Sequence, residues 1–283
     1  VSEEEELNLV IRRILVALDE SPHSEAALEA AVNLAARFRA ELLGIFVEDV
    51  NLLRIAQLPF TREVGLFSAT RREITTQEIE RQLRVQAQRM RRLFSGMAER
   101  RAVQGEFYVA RGAITPELMR AASDADILIL GKTGCSPSSQ RQIGSTTRAV
   151  VFGAPSLTLI LRDGMCLGLP VLVIYDGSEL SEKGLTAAAV LSQREDQPLA
   201  VFVLAGEEER AGRLQTQAAN RLSALDVTAT FYILSSAAIP KLSQMILMAG
   251  CGTLVLPATC SHWKEEALLR LVDDVEVPVL IVR

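Results

Sequence analysis

Histidine is nearly missing from this sequence. His23 and His262 are the two examples in 283 residues. Cysteine is sparse as well: Cys135, Cys166, Cys251 and Cys260 form no C-x-x-C pair and have no histidine-rich neighbourhood. That composition argues against a zinc site and against a disulfide framework, leaving reduced thiols in cores or on loops. Aromatic residues make up 5% of the chain and are almost absent from its most basic stretch, which disfavours stacking on nucleic-acid bases. There is no excess of positive charge either. The formal net charge is −5, so a generally basic nucleic-acid binder is not expected. Long hydrophobic runs are also lacking. The nearly apolar stretch at 149–161 is interrupted by Gly153 and Pro155, and a spanning helix needs about 20 apolar residues. VSEEEELNLV at the start is acidic and has no signal-peptide core. The expectation from these absences is a cytoplasmic protein that engages neither membrane nor nucleic acid.

Apolar residues are abundant, at 49% of the chain, so sizeable cores can form. Their pattern alternates between strand-like and helix-like segments. RRILVALDES (12–21) is an apolar run ending in Asp19 and Ser21. A helix pattern follows, with Ser21 as N-cap and Pro22 in the first turn. ELLGIFVEDV (41–50) reads as a second strand, and 51–70 as an irregular stretch. Over 71–103, Ile79, Leu83, Ala87, Met90, Phe94 and Met97 recur at helical spacing. GEFYVARG (105–112), ADILILG (125–131) and SLTLILR (156–162) are three further strands, separated by helices that start near Thr115 and Gly144. Strands alternating with helices imply a mostly parallel sheet covered on both faces.

The order then repeats. GLPVLVIYDGS (168–178) echoes RRILVALDES, and CGTLVLPA (251–258) echoes ADILILGK. WKEEALLRLVDDVEVPVLIVR (263–283) supplies a last helix and strand. The second copy is shorter, chiefly after its second strand. The spacing predicts two units, 1–164 and 165–283, parted near Asp163 and Gly164. The fold expected is α/β: two tandem open, mostly parallel five-stranded sheets with helices on both faces.

GKTGCSPSSQRQIGST (131–146) carries the chemistry. Its Gly-Lys-Thr imitates the end of a P-loop, but Asp126 stands where that motif needs its first glycine. The useful spacing is wider: Gly131, Gly134, Gly144 and Ser145, written G-x2-G-x9-G-S. It starts at the carboxyl end of a strand, where open α/β sheets bind ligands, and ends at a helix start. Glycines let backbone N–H groups approach an anion, and the helix N-terminus adds donors and a positive dipole end. Ser145 and Thr146 add hydroxyls. An ordinary Gly-rich turn is the competing interpretation. Asp19 ends the first strand on the same sheet edge, positioned for a ribose hydroxyl or a metal-bound water, or else as a turn aspartate. Val47, at the end of the second strand, offers backbone groups to a base edge. Lys132 and Arg141 flank the glycines and could neutralise phosphate, or could be solvated charges.

These stretches resemble the universal stress protein family. ILVALDES before an Ala-rich helix, ADILILGKTG, and QIGSTTRAVVFGAPSLTLILR carry the resemblance over Ile14 to Arg162. VLVIYDGS and VEVPVLIVR extend it more weakly. The resemblance implies a Rossmann-like, adenine nucleotide alpha hydrolase-like fold and an ATP-binding regulatory module of stress signalling. It implies ATP, with ADP or AMP as alternatives, and Mg2+ or Mn2+ held mainly by the phosphates. By the same resemblance Ala17 and Leu18 line the base pocket with Val47, Asp19 sits on the ribose and metal side, and Leu130, Gly131, Gly134, Gly144 and Ser145 form the phosphate wall. Some ATP-binding members have Pro where this chain has Ala17, and many have Pro where it has Leu157.

The second copy keeps Asp176 and Ser178, but Pro257 and Cys260 replace the first two glycines. Proline has no N–H to donate. One nucleotide site per chain is therefore expected, in the first copy. Family members commonly pair through their last strands, so the second copy is expected to be a built-in partner, an intramolecular pseudo-dimer, with a further homodimer and an unknown protein partner left open. Neither histidine lies in the H-x-G-H motif of related nucleotidyl transferases, so weak ATPase activity is the most that is expected. A slow hydrolase and a nucleotide-independent scaffold are the alternatives.

Overall fold

The computed structural model describes residues 9–57, 62–64, 71–73, 75–134, 143–192 and 199–283. β1 (Arg13–Ala17) lies in the middle of the first half, and β2 (Glu41–Asp49) pairs parallel with it. Ile14, Leu15 and Val16 are all fully buried, as expected for a strand covered on both faces. Ile14 and Val16 belong to one core cluster and Leu15 to the other, so alternation assigns each residue to its face. Helix α1 (Pro22–Phe38) connects the two strands. Its Ser21 Oγ accepts the Ser24 N–H, and Pro22 stands in its first turn, as the sequence pattern predicts.

The longer segment after β2 has more structure than its composition suggests. Helix α2 (Val50–Ala56) starts at once, capped by Asp49, which accepts the Asn51 N–H. Arg62–Val64 (β3) and Arg71–Glu73 (β4) pair as a two-stranded antiparallel sheet. Helix α3 consequently begins at Thr76 and runs to Arg100, with Thr75 as its cap, not at residue 71. Its spaced apolar residues Leu83, Ala87, Met90 and Phe94 are buried, while Arg84, Arg89, Arg91 and Arg92 face solvent.

β5 (Gly105–Gly112), helix α4 (Ile114–Ala122), β6 (Ile127–Gly131), helix α5 (Ser145–Gly153) and β7 (Leu157–Leu161) complete the first half. Thr115 does not cap α4. The cap is Ala113, without a side-chain bond, and Thr115 and Pro116 fall inside the first turn. The second half runs β8 (Val171–Tyr175), α6 (Glu179–Ser192), β9 (Leu199–Leu204), α7 (Glu208–Ala224), β10 (Ala229–Leu234), a 3-10 segment over Ser236–Lys241, α8 (Leu242–Met248), β11 (Thr253–Pro257), α9 (Glu265–Asp274) and β12 (Val279–Val282).

The two five-stranded arrays are one sheet. Its order is β10-β9-β8-β11-β12-β7-β6-β1-β2-β5, and the central β12–β7 pairing is antiparallel, with Leu280 opposite Leu159. The last strand of each copy would otherwise expose an unpaired edge. Placing the two edges against each other satisfies both, which is why separate sheets do not form. Within each half the order reverses beside the first strand, between β1 and β6 and between β8 and β11. Such switch points open a crevice at the strand carboxyl ends. Among the described residues no helix is long and apolar enough to cross a membrane.

Candidate functional site

The first-half crevice is a cavity of about 590 Å³, within the roughly 300–1,000 Å³ range of small-molecule sites. Ala17, Leu18 and Asp19 enter it from the end of β1, and Leu130, Gly131 and Gly134 from β6 and the turn beyond. Val47 closes one end. Gly144, Ser145 and Thr146 lie at the other, at the start of α5. Ten of the twelve residues singled out from the sequence thus share one cavity.

The wall nearest Val47 has a specific backbone geometry. Leu18 N–H donates to Ile45 O at 2.9 Å. Residues two apart on a strand point their peptide groups to the same side. Val47 therefore directs its N–H and C=O toward the side where β1 has already ended at Ala17. Ile45, Phe46, Ile114 and Leu118 give that end an apolar lining.

The other end has the character of an anion site. The first N–H groups of α5 lack intrahelical partners and carry the positive end of the helix dipole. Gly144 N–H is not among the available donors, because it bonds Lys132 O at 3.0 Å. Thr147 Oγ1 donates to Gly131 O at 3.0 Å and fixes the start of the helix to the end of β6. Gly131 is demanded by packing: a Cβ there would come within 2.8 Å of His23 Cβ and 3.0 Å of the His23 carbonyl carbon. His23 supports this wall from behind. Its Nδ1 accepts the Asp163 N–H at 2.7 Å, and burial holds the ring below its usual pKa, in the neutral form that can accept.

Asp19 lies between the two ends. Its Oδ1 accepts the N–H and hydroxyl of Ser21, and its N–H bonds Ser24 Oγ. Oδ2 faces Gly134, where a Cβ would sit 3.1 Å from it. Neighbouring Glu20 holds α3 against the opening, accepting from Gln86 Nε2 at 3.0 Å and Arg89 at 3.1 Å. Among the described residues, no group of three His, Cys, Asp or Glu is placed to hold a metal ion.

Lys132 corrects the expectation of a phosphate-side cation. It is 3% exposed and turned away from the cavity. Its Nζ bonds Val272 O at 2.8 Å, Asp273 O at 2.9 Å and Asp273 Oδ1 at 3.1 Å. Lys132 follows the last residue of β6, and its side chain runs to the end of α9. Arg141 lies outside the described residues. Sequence reasoning missed Thr133, Ile143, Thr147 and the wall from α2, α3 and α4, including Leu52, Leu83 and Gln86. The helical spacing of Leu83 marked it as buried, but nothing marked which cavity it bounds.

The corresponding place in the second half is sealed. Asp176, 3% exposed, uses Oδ1 for the N–H and hydroxyl of Ser178. Its Oδ2 accepts from Cys260 Sγ at 3.2 Å and from Ser261. Burial pushes the Cys260 thiol up to about 12, with the Asp176 charge adding to it, and burial pushes Cys251 to about 11. At pH 7 the Cys260 thiolate is then on the order of one part in 10^5. Brief iodoacetamide treatment at pH 7 is expected to alkylate exposed Cys166 and to spare Cys251 and Cys260 until the chain is unfolded. Peptide mapping reads the result, and rapid labelling of Cys260 in the folded protein would show that the seal is open.

No curated protein is significantly similar to the chain. Among solved structures, a universal stress protein from Archaeoglobus fulgidus DSM 4304 aligns with a TM-score of 0.72 at 16% identity, covering 95% of both chains. A protein of unknown function from Pseudomonas aeruginosa PAO1 aligns with a TM-score of 0.59 at 12% identity, covering 99% of this chain and 94% of its own. At such identities the likeness shows the fold alone. The sequence model of the universal stress protein family matches residues 11–162, from before β1 to just past β7. That match takes in over half the chain and every element that bounds the cavity, and it shows that the chain belongs to the universal stress protein family.

Proposed function

We propose that the first half, residues 1–164, binds one adenine nucleotide, with ATP as the preferred ligand, and that the protein is a regulatory module of stress signalling. One observation carries this reading. The cavity has backbone hydrogen-bonding groups of Val47 at one end, a helix N-terminus with Ser145 and Thr146 at the other, and Asp19 between them. Adenine, phosphates and ribose have that same order and chemistry. A polyphosphate would bring negative charge toward the Asp19 carboxylate. A divalent ion, Mg2+ or Mn2+, held mainly by the phosphates would offset that repulsion.

Residues 165–283 serve in this reading as a built-in pairing partner through β12. The sealed Asp176 supports one site per chain. Neither histidine lines the cavity among the described residues, which favours binding over efficient hydrolysis. A cytoplasmic location and a protein partner that reads the nucleotide state belong to the same proposal.

The test is to denature purified protein and identify released nucleotide, then to measure ATP affinity and turnover. Release of ATP, or binding of added ATP, with turnover far below roughly 1 s⁻¹ is the expected result. Turnover near that value would make the protein an enzyme. No released nucleotide and no binding of added ATP would leave it a scaffold.

A further inference from the structure

We infer that Asp273, in the second half, is a positioning residue for the glycine loop of the first half. The loop leaves β6 at Lys132 and returns at Ile143 and Gly144, just before α5. Asp273 holds both feet. Its Oδ1 accepts the Ile143 N–H at 2.7 Å and an ammonium N–H of Lys132 at 3.1 Å. The other two ammonium protons of Lys132 bond the carbonyls of Val272 and Asp273. All three donors of the lysine are therefore used. The Lys132 backbone continues the chain of contacts, since its C=O accepts the Gly144 N–H. A continuous path thus runs from the end of α9 to the residues that open α5.

Several observations mark this contact as a dedicated one. Lys132 is buried, and desolvation together with Arg162 pulls its pKa down to about 8, with Asp273 acting in the opposite direction. A buried lysine on a sheet edge needs a compensating partner. An aspartate in the last turn of a helix opposes the helix dipole. The two unfavourable placements meet and offset each other.

The pseudo-symmetry of the chain separates this clamp from the general pairing of the halves. Gly131 is in register with Leu161, and Pro257 with Val282. The equivalent residues are thus Arg162 and Arg283, Lys132 and Ala258, and Asp273 and Phe152. The two arginines act alike. Arg162 donates to Asp273 O at 2.7 Å, and Arg283 donates to Val151 O at 3.2 Å. Each caps a helix end of the opposite half. Lys132 and Asp273 have no such mirror image. Ala258 and Phe152 carry no charge, so the additional clamp runs one way, from the second half onto the loop of the first. The second half then does more than cover an edge: it sets the geometry of a site it does not contain.

The consequence for ligand rests on the nucleotide reading. Asp273→Ala is expected to weaken ATP binding about tenfold or more, since a charge-assisted contact at both loop feet is lost. Asp274→Ala, on the exposed neighbour, is expected to leave affinity within about twofold. Lys132→Ala combined with Asp273→Ala is expected to weaken binding little beyond Asp273→Ala alone, as for residues acting through one contact. Hydrogen exchange without nucleotide is the independent readout. Asp273→Ala should speed exchange of the Ile143 and Gly144 amides about tenfold, Asp273→Glu should recover part of that protection, and the amides of β1 should not change. Parental affinity in Asp273→Ala, or unchanged exchange at Ile143, overturns the clamp. A parent chain that binds no ATP overturns the nucleotide reading instead, and the exchange result at Ile143 then decides the clamp by itself.

Discussion

Gly144→Trp is expected to lose ATP affinity by at least roughly a hundredfold, about 2.7 kcal/mol, while the chain stays folded. Gly144 has φ −61 and ψ 153, a conformation open to any L-residue. A Cβ there would meet its nearest heavy atoms at 3.5–3.6 Å, ordinary contact distances. The backbone therefore does not need a glycine at this point. What it needs is space in front of it, because Gly144 lines the cavity beside Ser145. An indole would occupy the phosphate end and cover the first N–H groups of α5. Gly131 is the wrong place for such a test. Any side chain there collides with the His23 backbone, so fold and site would fail together. Calorimetric titration with ATP gives the affinity, and a thermal melt reports the fold. A Gly144→Trp protein that binds ATP as tightly as its parent would remove the glycine end of the cavity from the nucleotide site.

The residues that could be read ahead of the structure share a property. Asp19, Val47, Leu130, Gly131, Gly134, Gly144, Ser145 and Thr146 sit at the ends of strands or the start of a helix. Element type and order fix such positions, and both are written in local periodicity. Lys132 was misplaced because its direction is set by partners at the end of α9, and proximity in sequence to glycines does not reveal them. Its partner Asp273 is separated by 141 positions. No local pattern records a contact across the joined halves. Pairing through the last strands is expected from the family resemblance alone, since the periodicity of each half implies only two separate sheets. Each last strand reads as a short apolar run, and the sequence does not say what lies along its open edge. The hairpin of β3 and β4 was missed for another reason. Strands of three residues rich in charge, such as Arg71–Glu73, lack the apolar alternation by which strands are recognised.

The joined sheet leads to the second large effect. Leu280→Ala is expected to destabilise the whole chain by about 2–5 kcal/mol, the range for emptying a buried leucine site. Leu280 is 2% exposed and stands opposite Leu159, which is 1% exposed, at the antiparallel seam between β12 and β7. Both belong to a single core cluster that runs from Ile14 and Val16 in one half to Val201 and Val203 in the other. A cavity at the seam withdraws contacts from both halves, so neither retains its full stability. The midpoint of thermal unfolding should fall by about 3–8 °C for a chain of this size. A single transition should move as one. Ile233→Ala is the comparison, since Ile233 lies on the far edge strand β10 and is 53% exposed. Its cost should stay near or below about 1 kcal/mol, because most of the side chain is already in water. Differential scanning calorimetry separates the possibilities. Were Leu280→Ala to split the trace, leaving one component at the parental temperature, the halves would be stable independently and the seam would be a contact between two finished domains. A common shift means that the second half is needed for the first to be fully stable. The cavity of the first half would then depend on its partner for stability through β12.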